Sequence, residues 1–159
     1  MKIMLLLSLF GLFTFSLSAQ TPFEKNDLYL EAGGNGLFGS VNYERQVTEK
    51  PGLGFRFGFG LYVEQAFYLT IPIGLNYLFP LKNDRSFVEA GFGLSFTTID
   101  AGVFEDYYYP NENNFVNFVP SVGYRRHTKH SMMWRISATP IINRYATTPW
   151  IGASIGKRF

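Results

Sequence analysis

The chain has 159 residues, of which 47% are hydrophobic, 18% aromatic and only 16% charged, against about 25% charged in an ordinary soluble domain. Sixteen glycines and no cysteine exclude a disulfide scaffold, and so large an apolar and aromatic share excludes a disordered chain. Fourteen basic residues against twelve acidic ones leave no electrostatic footprint for nucleic acid, and the length is that of one domain.

At the start, Lys2 precedes an apolar run from Ile3 to Leu17 and the small-residue stretch ending Ser18-Ala19. Residues 1–19 are expected to be a secretory signal peptide, cleaved between Ala19 and Gln20, leaving an outer-membrane β-barrel domain over 20–159. The run falls short of the roughly 20 residues of a spanning helix; an uncleaved anchor is the alternative. The cleavage site carries no Cys, so it is not a lipoprotein-type acylation site. No other segment approaches the roughly 18 consecutive apolar residues of a spanning helix, so if the rest enters a membrane it does so as strands.

Period-two alternation then recurs between clusters of Gly, Pro, Asn, Asp and Lys. The first run sets Leu28, Leu30 and Ala32 against Tyr29, Glu31 and Gly33, and Asn35-Gly36 reads as a tight hairpin turn. The second sets Val41, Tyr43 and Val47 against Ser40, Asn42, Glu44 and Gln46. The third, Leu53 to Leu61, puts Leu and Phe on one face and Gly54, Arg56, Gly58 and Gly60 on the other. The fourth runs from Phe67 to Phe79, the fifth from Val88 to Thr97, the sixth from Phe115 to Arg126, the seventh from Met132 to Thr139 and the eighth from Ile151 to Phe159.

The third run decides which face is inside. A soluble barrel would turn its phenylalanines inward and show water a charged or polar face, but three glycines and one arginine solvate poorly. Glycines inside a narrow barrel instead make room for the long side chains it must hold. The expectation is therefore an all-β, eight-stranded antiparallel up-and-down transmembrane β-barrel, apolar outside and polar inside. Pro72, Pro120 and Pro140 fall within strands, where bulges are expected. The connections Thr48–Gly52, Lys82–Arg85 and His127–His130 are short and polar, as periplasmic turns are, while the longest, Asp100 to Asn114, falls at the extracellular end.

Tyr29-x-Glu31-x-Gly33-Gly34, Ser40-x-Asn42-Tyr43-Glu44-Arg45, Ile71-Pro72-x-Gly74-Leu75-Asn76-Tyr77, Glu89-x-Gly91-x-Gly93, Gly123-Tyr124-Arg125 and the closing Gly152-x-Ser154-x-Gly156-x-x-Phe159 together resemble small outer-membrane β-barrel proteins common in Bacteroidota, porin-like in architecture. The likeness spans essentially the whole chain after the signal segment. It implies a location in the outer membrane of a Gram-negative cell and a fold, rather than a reaction. It also implies that Phe159 is the terminal aromatic read by the barrel assembly machinery during biogenesis. Lys157 departs from the family's usual aromatic there.

Six charges share the inward faces: Glu31, Glu44 and Glu89 against Arg56, Arg125 and Arg135. Unpaired in a narrow lumen, each would cost several kcal/mol, so an interior ion-pair network is expected. It is read as a plug that fixes strand register, with an ion-selective path as the alternative. His127 and His130 have metal-like spacing but no Asp, Glu or Cys beside them, and read as a solvated turn. No nucleophile–base arrangement or phosphate-cradling glycine loop is legible, so no enzyme, cofactor or metal is expected. The loop through Phe104, Glu105, Asp106, Tyr107, Tyr108 and Tyr109 reads first as part of an aromatic girdle in outer-membrane lipid and second as a contact for an extracellular protein or glycan. The role expected is structural or one of cell-surface interaction; the alternatives are a narrow channel or a soluble lipocalin-like barrel around an apolar ligand.

Overall fold

In the computed structural model, described over residues 23–63, 67–83, 85–98, 114–144 and 146–159, almost every segment between turns is an antiparallel strand. They are β1 (Asn26–Gly33), β2 (Gly39–Gln46), β3 (Leu53–Val63), β4 (Phe67–Pro80), β5 (Ser86–Thr98), β6 (Asn114–His127), β7 (Met132–Ala138), the short β8 (Ile141–Ile142) and β9 (Thr147–Thr148), and β10 (Ile151–Arg158). β1 to β7 pair in chain order, and β10 closes the ring between β7 and β1. The seam is completed by Asn26 N donating to Phe159 O at 3.0 Å and Phe159 N to Asn26 O at 2.9 Å. β8 and β9 prolong β7 and β10 in unchanged register past Pro140 and Pro149. The molecule is thus a closed barrel of eight strands.

Its geometry follows from the registers. Partners traced once round, from Met132 through Lys157, Leu28, Tyr43, Phe57, Ile73, Leu94 and Phe118, arrive at Ile142, ten residues beyond the start. Eight strands with that stagger tilt by about 40° and enclose a lumen just wide enough for side chains to fill. The outward faces carry exposed Leu30, Phe57, Phe59, Val122, Ile136 and Ile155, and the inward faces carry buried Glu, Arg, Asn, Ser, Thr and Gly. The apolar-cavity barrel held as an alternative is therefore overturned, because the large apolar face points out.

The bulges expected at the prolines are absent. Pro72 stays paired with Ser95, and the β3–β4 register is the same on either side of it. Pro120 stays paired with Phe92, and in the β6–β7 register it stands opposite Pro140. In an antiparallel strand a residue's N–H and C=O face the same neighbour, so a proline opens the ladder on one side only. Here two prolines share a single gap.

The tight turn at Asn35-Gly36 is also corrected. Gly33 and Gly34 adopt φ of 73° and 67°, and the chain turns through a 3₁₀ segment, Gly34–Gly36, whose residues are all buried. Asn35 Nδ2 donates to Ile73 O at 3.3 Å, Thr70 Oγ1 to Gly36 O at 3.1 Å, and Trp150 Nε1 to Leu37 O at 3.0 Å. The loop dips into the mouth of the barrel because the walls leave space there. A Cβ on Gly93 would lie 2.3 Å from Asn35 Nδ2, and one on Gly152 would lie 2.8 Å from Gly34 Cα. Gly152→Val should therefore displace the loop at a cost of about 1–3 kcal/mol, read as a lower urea midpoint of the folded barrel in detergent; an unchanged midpoint would show that the loop is not packed in the lumen.

Candidate functional site: the charged interior

Alternation delivers the interior charges. β1 turns Asp27, Tyr29 and Glu31 inward, β2 turns in Glu44 and Gln46, β3 Arg56, β4 Asn76, β5 Glu89, β6 Arg125 and His127, β7 Arg135, and β10 Ser154 and Arg158. With one side chain per two residues, each strand can place its long groups at one height only if its inward neighbours are small, and Gly54, Gly58, Gly74, Gly91 and Gly123 serve that purpose.

Arg125 is the hub, with 0% of its surface exposed. From β6 it reaches across the lumen to Glu44 on β2, the strand diametrically opposite, in a two-pronged contact of 2.7 Å (Nη1–Oε1) and 2.6 Å (Nη2–Oε2). Its Nε donates to Glu89 Oε2 at 2.7 Å and its Nη1 also to Asp27 Oδ2 at 3.1 Å. Arg135 bridges Glu89 Oε1 at 2.9 Å and Glu31 Oε1 at 2.5 Å, donates to Ser154 Oγ at 3.0 Å, and lies 4.9 Å from the centre of the Tyr29 ring. Asn76 Nδ2 and Gln46 Nε2 donate to Glu44 Oε1 at 2.9 and 3.0 Å. Arg158 approaches Asp27 Oδ1 at 3.6 Å. Arg56 is the loosest member, 3.8 Å from Glu89, with Nε and Nη2 lacking hydrogen-bond partners.

All six charges named from the sequence are thus buried, and the structure connects them. Two were missed. Asp27 and Arg158 make the buried charges four acids against four bases; Arg158 already stands on the inward face of the eighth run, and extending the first run by one inward step before Tyr29 reaches Asp27. His127, expected in a solvated turn, is instead 3% exposed, because it continues the inward face of Gly123 and Arg125. Its ring centre is 4.5 Å from that of Phe87. His130 is exposed. Phe159 is exposed at the seam. The contact candidates Phe104, Glu105, Asp106, Tyr107, Tyr108 and Tyr109 lie outside the described residues.

Chemically the interior is a neutralised lock. Among the described residues, the four buried carboxylates each meet a guanidinium. On the outside, Tyr43–Phe57, Tyr77–Phe79 and Tyr124–Trp134 pack ring against ring at 4.7–5.4 Å, giving aromatic density toward the end of the barrel that holds both the Asn26 and Phe159 seam and the short turns.

No family model matches the sequence, and no curated protein matches it. Two solved structures share the fold. One is the N-terminal β-barrel domain of Pseudomonas aeruginosa OprF, with 9% identity and a TM-score of 0.61 over 85% of this chain and 96% of that one. The other is the Yersinia pestis outer membrane protein Ail, solved in a phospholipid bilayer nanodisc, with 8% identity and a TM-score of 0.54 over 86% and 99%.

Arg125→Met removes a guanidinium from three carboxylates and leaves Glu44 with no ion-pair partner among the described residues, and should cost about 3–5 kcal/mol of unfolding free energy in detergent or vesicles. Arg56→Met, which removes only a 3.8 Å contact, should cost clearly less. Restoring charge balance with Glu44→Gln should recover part of the Arg125→Met loss. Equal effects of the two arginine substitutions would contradict the hub.

Proposed function

We propose that this chain is an integral outer-membrane protein, exported by the signal segment 1–19 and folded as a closed barrel with a filled, non-conducting interior. The observation that carries the reading is the inversion of the faces: Phe59, Ile136 and Ile155 stand about 60% exposed while Glu44 and Arg125 are fully buried. Water would not leave such a wall bare, but hydrocarbon solvates it and demands the closed ladder that β1 and β10 complete. The aromatic pairs are the girdle expected where such a wall meets lipid headgroups.

A conducting path is disfavoured by what fills the lumen. The ion-pair network spans it from β6 to β2, and the Gly34–Gly36 segment stoppers one mouth. The protein's role on this reading is structural, or that of a platform displaying the acidic, tyrosine-rich segment 100–114 to a protein or glycan at the cell surface. The assembly machinery would read Phe159 during insertion. Descent from the Bacteroidota barrels rests on the motifs alone.

Unboiled protein from the outer-membrane fraction should migrate faster in detergent electrophoresis than boiled protein, and planar bilayers containing it should show no discrete conductance steps. A single mobility with recovery from the soluble periplasm would overturn the membrane assignment; regular conductance steps would overturn the filled lumen.

A further inference from the structure

At the end of the barrel opposite the Gly34–Gly36 stopper, the short turns surround a cavity of about 630 Å³. Each of the three turns contributes one cation to its lining: Lys50 from the turn after β2, Arg85 from the turn after β4, and Lys129 from the turn after β6. Arg158 of β10 adds a fourth. Among the described residues the one acid in the lining, Glu24, is already held, by Arg158 Nη1 at 3.4 Å and by the Ser131 hydroxyl. The Lys50, Arg85 and Lys129 side chains are exposed, and among the described residues none has a hydrogen-bond or ion-pair partner. His127 also lines the cavity, 3% exposed, with its Nε2 unpartnered. Its ring is fixed between those of Phe87 and Phe23, at 4.5 and 6.2 Å.

These features differ from those of the charged interior, where acids and bases balance. Here, among the described residues, three unpaired cations, Lys50, Arg85 and Lys129, stand beside an Arg158 already paired with Glu24 and Asp27, across a concave, low-dielectric wall, an arrangement that concentrates anions. A buried imidazole with an unpartnered ring nitrogen donates to an acceptor oxygen in the tautomer that protonates that nitrogen, and burying it unpartnered is costly unless something completes it. The volume lies in the range of small-molecule sites and exceeds what one inorganic ion would fill.

We propose that this mouth is a binding site for a water-borne multivalent anion, a small molecule or chain end bearing at least two phosphate or carboxylate groups, clamped by Lys50, Arg85 and Lys129 and seated on His127. The site opens along the barrel axis, away from the lipid-facing wall, so the occupant comes from solution rather than from a lipid headgroup. This goes beyond the membrane reading and does not depend on it, since binding can be measured on the folded barrel in zwitterionic detergent.

The test is calorimetric titration of the full folded chain with tripolyphosphate, citrate and acetate. Tripolyphosphate or citrate should bind saturably at one site per barrel and acetate should not. Lys50→Gln/Arg85→Gln/Lys129→Gln should weaken binding at least tenfold, and His127→Phe, which keeps the ring stack, should weaken it without loss of the fast unboiled band. Arg45→Gln/Arg126→Gln/Lys157→Gln, which removes three cations on the outer wall at the same end, should leave affinity unchanged. Absence of saturable binding, or equal weakening by the outer-wall triple variant, would overturn the proposal. Competition by phosphatidylglycerol in nanodiscs, with neutral lipid inert, would overturn the soluble source.

Discussion

A closed ring of eight strands encloses a space that must be filled, and in this chain it is filled by charge. The contact on which the rest depends is the two-pronged pair between Arg125 and Glu44, which joins diametrically opposite walls. Around it, Glu89 serves Arg125, Arg135 and Arg56 at once, so that β1, β2, β3, β5, β6 and β7 are tied through one set of side chains. Each strand's stagger must bring its charged residue to the same height, and a slip of one residue would turn that charge outward. The network therefore specifies register more than it adds stability, since buried ion pairs roughly offset their own desolvation.

The glycines follow from the same constraint. Eight guanidinium and carboxylate groups cannot share a lumen of this width with side chains at every inward position. The third strand shows the solution most plainly, with Arg56 flanked inward by Gly54 and Gly58. Space left near one mouth by Gly93 and Gly152 is taken by the first loop, so both the lock and the stopper are consequences of where side chains are missing. At the other mouth stand three cations, Lys50, Arg85 and Lys129, that nothing in the chain's described residues neutralises.

Much of this is legible in the sequence. Period-two alternation carries the face of each residue directly, so the six interior charges, the apolar exterior and the number of strands could be read from Leu53–Leu61 and its counterparts. Alternation does not carry strand length, so a first run begun at Leu28 stops one residue short of Asp27, whereas Arg158 lies within the eighth run on the face of Gly156 and its inward charge is legible there. Nor does it carry turn conformation: Asn35-Gly36 has the local chemistry of a two-residue hairpin, but the available lumen volume pulled the loop inward. Local chemistry likewise suggested bulges at Pro72, Pro120 and Pro140, whereas the ladder resolved them by leaving one side unbonded. At His127 the turn-like neighbours Thr128 and Lys129 mask the residue's parity with Arg125.

The central claim is that the large apolar face meets hydrocarbon and the charged face is sealed inside. It is tested most directly by placing nitroxide labels through single cysteines at Val41, Phe57 and Ile136, all on the outward faces, in the protein reconstituted into phospholipid vesicles. The account predicts that dissolved oxygen, which concentrates in hydrocarbon, relaxes these labels strongly while a water-soluble nickel complex does not. Strong relaxation by the nickel complex at all three positions would mean that the apolar wall faces water, and would contradict it.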